Sequence, residues 1–309
     1  MIFLQILLLV VGFVMLVKGA DYFVDGASGI ATKFGIPQLV VGLTIVAMGT
    51  STPEAAVSIT AALKGNVDIC IGNIVGSNIL NILIILGITA LIASLKVQKS
   101  TIWYEIPYML LVTIVLLVMG NTNEIISFFE GIILGLLFVA YLGYLFKMSK
   151  NGVEEESGNV IPKKMWILLL EIILGGVVIV WGSNIAVDSA TYIAKAVGLS
   201  QRFIGLTIVA FGTSLPELVT SVSAARKGNA DIAIGNIVGS NIFNILFVVG
   251  VSALITPVPY ASNFQVDAAM AIISGVILWL SVFKSKRLTK SWGIVMLVIY
   301  AAYLAYLLL

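Results

Sequence analysis

The chain has 309 residues, 60 % of them hydrophobic and 10 % charged, with a formal net charge of +2. A mean hydropathy of +1.12 excludes a soluble domain, and a near-neutral balance without a clustered basic face excludes nucleic-acid binding. With no histidine and a single cysteine, Cys70, there is no internal disulfide, and any metal handled here must accept oxygen ligands.

The first charge is Lys18, so the opening apolar run lacks the basic region of a secretory signal and reads as a retained first span. Apolar stretches long enough to cross a bilayer, roughly 20 residues each, centre near Val11, Ala47, Asn78, Val112 and Leu136. A second set centres near Val177, Ala210, Asn241, Val276 and Val298. Between them lies the polar segment "SKNGVEEESGNVIPKK". The expected fold is therefore an all-α polytopic membrane protein with ten transmembrane helices in two five-helix repeats, residues 1–148 and 163–309. Residues 149–162 form a cytoplasmic linker.

The repeat is legible without a gap. "GLTIVAMGTSTPEAAVSITAALKGNVDICIGNIVGSNILNIL" (42–83) matches "GLTIVAFGTSLPELVTSVSAARKGNADIAIGNIVGSNIFNIL" (205–246). Because five spans per half is odd, like-folded halves must cross the membrane in opposite senses, the inverted-repeat plan of secondary transporters. Lys33, Lys96, Lys99, Lys147, Lys150, Lys163, Lys164, Arg226, Lys227, Lys284, Lys286, Arg287 and Lys290 fall on one side, against Lys64, Lys195 and Arg202 on the other. The richer side is cytoplasmic by the positive-inside rule, which puts both termini outside the cell membrane.

The chemistry sits in the middle of the apolar spans. Thr50, Ser51 and Glu54 stand at helical i, i+1, i+4 spacing, and Pro53 removes a backbone donor, which predicts a broken helix with exposed carbonyls; Gly49 and Gly212 ease the break. Carbonyls, hydroxyls and a carboxylate together make an oxygen cage suited to hard cations such as calcium and sodium. In the next span Asn73, Ser77 and Asn81 recur every fourth residue, and Gly72 and Gly76 permit a close helix approach. Thr213, Ser214 and Glu217, then Asn236, Ser240, Asn244, Gly235 and Gly239, repeat all of this in the second half. Hydroxyls alone also serve as glue between membrane helices. Two carboxylates deep in spans, each costing at least ~3 kcal/mol at the bilayer centre, require cations or protons.

Other charges carry less. Asp25 and Asp188 are repeat-related but read as hydrated or capping groups towards helix ends. The run Glu154–Glu156 reads as a solvated loop. Glu171 aligns with Leu8 and has no sequence-level explanation.

The paired "GTSTPE" and "GTSLPE", with paired "GNIVGSN", resemble the two alpha-repeats of the calcium/cation antiporter superfamily, in the prokaryotic sodium/calcium exchanger branch. The resemblance implies ion ligands Ala47, Thr50, Ser51, Glu54, Ser77 and Asn81 in the first half, with carbonyl oxygens from Ala47 and Thr50. In the second half it implies Ala210, Thr213, Ser214, Glu217 and Ser240, with Asn244 where relatives often carry Asp. It implies exchange of calcium for sodium at one shared site by alternating access, with no cofactor, no catalytic residues and no obligate protein partner beyond the lipid bilayer. A proton/calcium antiporter and a cation channel are the rival expectations. An intramembrane enzyme is disfavoured because no nucleophile–base pair occurs in the core.

Overall fold

The computed structural model describes residues 2–63, 68–150, 163–198, 210–260 and 264–308. In chain order the helices are α1 (Ile2–Phe34), α2 (Gln38–Thr50), α3 (Thr52–Leu63), α4 (Cys70–Ile92), α5 (Thr101–Thr122), α6 (Phe128–Lys150), α7 (Met165–Ala196), α8 (Ala210–Thr213), α9 (Leu215–Arg226), α10 (Ala230–Ile255), α11 (Gln265–Phe283) and α12 (Lys290–Leu307). Eight are long and apolar enough to cross a membrane, and the bent pair α2–α3 adds a ninth among the described residues. In the repeat α2 corresponds to residues 201–213, of which 201–209 lie outside the described residues.

Burial sorts the helices. In α4 and α10, 78 % and 83 % of the apolar window is buried, whereas α1 and α12 bury only 17 % and 11 % of theirs. So α4 and α10 form the centre of the bundle. Large apolar side chains such as Phe3, Phe129, Leu136 and Trp181 stand on its outer surface. That distribution suits a hydrocarbon surround.

The long helices α1 and α7 pack along one another at backbone distance. A Cβ at Gly12 would lie 2.9 Å from the Gly182 carbonyl, one at Gly19 3.0 Å from the Gly175 carbonyl, and one at Gly26 2.8 Å from the Leu168 carbonyl. Seven-residue spacing of these glycines keeps one stripe of α1 against α7 over two full heptads. At 33 and 32 residues, each helix is about 50 Å long, more than the ~30 Å hydrocarbon core, and each must tilt or project.

Two short ribbons join the halves at loops. β1 (Leu95–Lys96) pairs with β4 (Arg287–Leu288), and β2 (Ile125–Ile126) with β3 (Val258–Pro259), both antiparallel. Val97 N–H donates to the Lys286 carbonyl at 2.9 Å, and Tyr260 N–H to the Glu124 carbonyl at 2.7 Å. Glu124 and Lys286 both adopt positive φ, 55° and 51°. Exchanging the halves thus maps one ribbon onto the other.

The structure adds detail at four places noted in the sequence. Helix α6 runs through Lys150, two residues into the segment expected to link the halves; residues 151–162 lie outside the described residues. Asp25 stands well inside α1, exposed and paired with Lys227 at 2.7 Å, which fits the hydrated reading and not the capping one. Glu171 is explained by an ion pair with Lys163 at 2.5 Å. Gly49 and Gly212 also serve packing: a Cβ would meet the Phe23 ring at 2.8 Å and Val187 Cγ2 at 2.2 Å.

Candidate functional site

Proline dictates the geometry of the site. Pro53 cannot donate to the Gly49 carbonyl and its ring clashes there, so α2 stops at Thr50 and α3 restarts at Thr52, bent by 50°. The hinge, Ser51, has φ −81° and ψ 7°. In the second half Ser214 has φ −93° and ψ 5°, followed by Pro216 in the first turn of α9. Glu54 and Glu217 thereby fall in the first turns of α3 and α9, where the positive end of the helix dipole favours a carboxylate.

These breaks face one another. Ser51 Oγ donates to Glu217 Oε1 at 2.8 Å, and Ser214 Oγ donates to Glu54 Oε1 at 3.3 Å. Glu54, Glu217, Ser51 and Ser214 are all at most 1 % exposed. Each hinge serine therefore reaches the other half's carboxylate. Thr50 Oγ1 donates to Asn236 Oδ1 at 3.0 Å, and Asn236 Nδ2 donates to Ser221 Oγ at 2.9 Å. Asn73 Nδ2 makes the corresponding bond to Ser58 Oγ, 3.0 Å.

An asparagine square joins α4 and α10. Asn78 Nδ2 donates to the Asn241 carbonyl at 3.2 Å, and Asn241 Nδ2 to the Asn78 carbonyl at 3.1 Å. The outer amides join in: Asn81 Nδ2 donates to Asn241 Oδ1, and Asn244 Nδ2 to Asn78 Oδ1, at 2.9 and 3.2 Å. Asn81 and Asn244 each open a π-helical turn, Asn81–Leu86 and Asn244–Val249, a widened winding common where a helix serves a site.

After these bonds, Glu54 Oε2, Glu217 Oε2, Asn81 Oδ1 and Asn244 Oδ1 remain buried without a donor. Buried acceptors are rarely left so in native proteins, and here they come as two repeat-related pairs. A carboxylate or amide oxygen accepts but does not donate, so each of the four has the chemistry of an oxygen ligand to a hard cation.

Not every expected ligand stands free. The Ala47 carbonyl already accepts from Ser51 N–H at 3.0 Å, Thr50 Oγ1 at 3.3 Å and Ser240 Oγ at 3.4 Å. Ser77 is buried one turn before Asn81. Thr213 ends α8, which Ala210 opens; the side chain of Ala210 lies outside the described residues. Sequence reasoning overlooked the roles of Asn78 and Asn241. Their signal was present in the repeated "GSN", whose asparagine sits next to the noted serine on a different face of the helix.

Glycine brings the halves together here. Cβ atoms at Gly235 and Gly239 would lie 3.0 Å from the Leu39 carbonyl and 2.7 Å from the Leu43 carbonyl. Hence α2 of the first half rests directly on α10 of the second.

Paired half-helices that present carboxylates to one another within a bundle of membrane-crossing spans define the class: a polytopic membrane transport protein. The family model described as sodium/calcium exchanger protein matches residues 4–147 and 167–309. The chain belongs to that family. It is 37 % identical to the inner membrane protein YrbG of Escherichia coli over 286 residues, covering 88 % of each chain. It is 34 % identical to the sodium/calcium exchanger MaX1 of Methanosarcina acetivorans over 350 residues, covering 99 % of each. A solved structure of the sodium-calcium exchanger NCX_Mj superposes with a TM-score of 0.86 at 34 % identity, covering 99 % of this chain and 100 % of that one.

Proposed function

We propose that this protein is a secondary active antiporter that exchanges calcium for sodium by alternating access of one shared midplane site. The observation that carries the reading is the symmetric set of donor-less oxygens on Glu54, Glu217, Asn81 and Asn244. Two carboxylates supply −2, which one calcium or two sodium ions cancel. An empty site stays charged and resists the low-dielectric barrier, so loaded states interconvert and empty ones do not. Protons fit less well, because an amide oxygen does not take up a proton in this range and would stay unsatisfied.

In this reading ten helices form two inverted five-helix repeats, residues 1–148 and 163–309, with both termini outside. The exchange symmetry of the two ribbons supports that arrangement. Glu54 and Glu217 provide charge. Ser51, Ser214, Ser77, Ser240, Thr50, Thr213 and the carbonyls of Ala47 and Ala210 complete the cage with Asn81 and Asn244. Where the Ala47 carbonyl joins the ion, Ser240 and Thr50 must turn away from it. The relatives' names, MaX1 and NCX_Mj among them, supply the ion pair of sodium and calcium.

The test is calcium uptake into proteoliposomes under imposed sodium, potassium or proton gradients, one at a time. Uptake driven by an outward sodium gradient is expected. Uptake driven by a proton gradient alone overturns the sodium assignment, and calcium flux at channel rates without any counter-ion overturns the carrier.

A further inference from the structure

The polar stripe of α10 has a member that the ion cage does not use. Ser240 and Asn244 follow Asn236 at four-residue spacing and join the site in the reading above, whereas Asn236 does not. Yet its fully buried side chain touches both helix breaks. Thr50 Oγ1, at the last residue of α2, donates to Asn236 Oδ1 at 3.0 Å. Asn236 Nδ2 donates to the carbonyl of Glu217, in the first turn of α9, at 3.3 Å, and to Ser221 Oγ one turn later at 2.9 Å. These partners fix which way the amide faces. The Glu217 carbonyl only accepts, so Nδ2 must lie against it; Oδ1 is thereby turned to Thr50, whose hydroxyl has to donate.

We infer that Asn236 is a positioning residue for the ion site: it takes the Thr50 hydroxyl proton and so frees the Ala47 carbonyl to face a cation. The inference rests on the proposed function, in which the Ala47 carbonyl is a ligand. That carbonyl accepts from Ser51 N–H at 3.0 Å, Thr50 Oγ1 at 3.3 Å and Ser240 Oγ at 3.4 Å, three donors on two lone pairs. Thr50 has one hydroxyl proton for two acceptors, and the shorter contact is to Asn236. A cation at the Ala47 oxygen repels that proton, which then needs another acceptor. Ala47, Thr50 and Asn236 are at most 2 % exposed, so water does not supply one. Asn236 Oδ1 does. Without it, the Thr50 proton competes with the ion for the same carbonyl oxygen. The anchoring to Glu217 and Ser221 matters, because an amide free to rotate would turn its own protons to Thr50 as readily as its oxygen. The same contacts hold the end of α2 against the start of α9, beside the 2.8 Å bond from Ser51 to Glu217.

The test is calcium binding to the purified full-length chain, read at equilibrium with radioactive calcium by scintillation proximity in sodium-free buffer. Asn236→Ala is expected to weaken binding about five- to tenfold, the size of one competing hydrogen bond. Adding Thr50→Val to that chain removes the competing hydroxyl while keeping the main chain, and is expected to recover most of the loss. A residue that only supports the fold would lower the unfolding temperature and gain no affinity from the second substitution. Unchanged calcium affinity in Asn236→Ala, or a loss that Thr50→Val leaves in place, overturns the inference. If Asn236→Ala does not elute as a monodisperse species, Asn236→Leu, which keeps the volume and lacks the acceptor, takes its place in both chains. Binding is measured without transport, so the two readings fail separately: a chain that binds calcium yet shows no sodium-driven uptake fails as an exchanger, while the Asn236 comparison still decides the role of the amide.

Discussion

Asn78 and Asn241 each donate a side-chain amide to the other's main-chain carbonyl, at 3.2 and 3.1 Å, from the two most buried helices of the bundle. Each also accepts from the other half's outer asparagine, Asn241 from Asn81 and Asn78 from Asn244. The square both holds α4 to α10 and turns the Asn81 and Asn244 amides so that their oxygens point away from it. Asn241→Ala therefore strands the Asn81 amide and the Asn78 carbonyl, at a cost of about 1–3 kcal/mol. The double variant with Asn78→Ala should lose less than the sum, because both substitutions break one network. Thermal unfolding of the four proteins in the same detergent measures it; strictly additive losses would refute the shared network.

Glu54→Gln and Glu217→Gln should each abolish calcium exchange while the protein stays folded. Each removes half of the charge that balances a divalent ion, yet a neutral amide is cheaper to bury than a carboxylate and can still accept from Ser214 or Ser51. Sodium-driven calcium uptake is compared with gel-filtration behaviour. Near-normal uptake by either folded variant contradicts the shared site.

Along α1 and α7, a side chain at Gly19 or Gly182 has nowhere to go, since its Cβ would sit about 3 Å or less from the opposing backbone. Gly182→Leu should separate the helices and lower stability by about 1–3 kcal/mol or more. Gly143→Ala on α6, where nothing lies within 4 Å, serves as the tolerated control. Equal unfolding temperatures for Gly182→Leu, Gly143→Ala and the parent would show that the seam does not matter.

Orientation is open to chemistry. In a Cys70→Ala background, Thr122→Cys and Pro257→Cys should react with an impermeant thiol reagent in sealed right-side-out vesicles, and Lys150→Cys should not. All three positions are exposed. Gly120 is a poorer reporter than its loop position suggests, because a Cβ there would enter the Tyr260 ring at 2.3 Å. Labelling of Lys150→Cys reverses the proposed orientation.

Much of this molecule was legible in one dimension. Hydropathy determined that the chain crosses a membrane, since the bilayer imposes a length and polarity on each span that no soluble core requires. The internal repeat pointed to Glu54 and Glu217, because a carboxylate beside proline in two apolar segments has few other uses. Pro53 and Pro216 set the breaks locally, through a missing donor within one turn. What the sequence left undecided was which groups meet. That Ser51 serves Glu217 rather than Glu54, and that Asn78 answers Asn241, follows from two halves interlocking face to face through glycine contacts. Those pairings join residues more than 150 positions apart, and no local periodicity encodes them. The same holds for Glu105: from sequence it is one acid near a loop, and only the packing of α5 on α6 brings the Tyr144 hydroxyl to it. Local rules fix where a helix stops and where a charge lies, but the partner of a buried polar group is chosen by the close packing of helices that are distant in the chain.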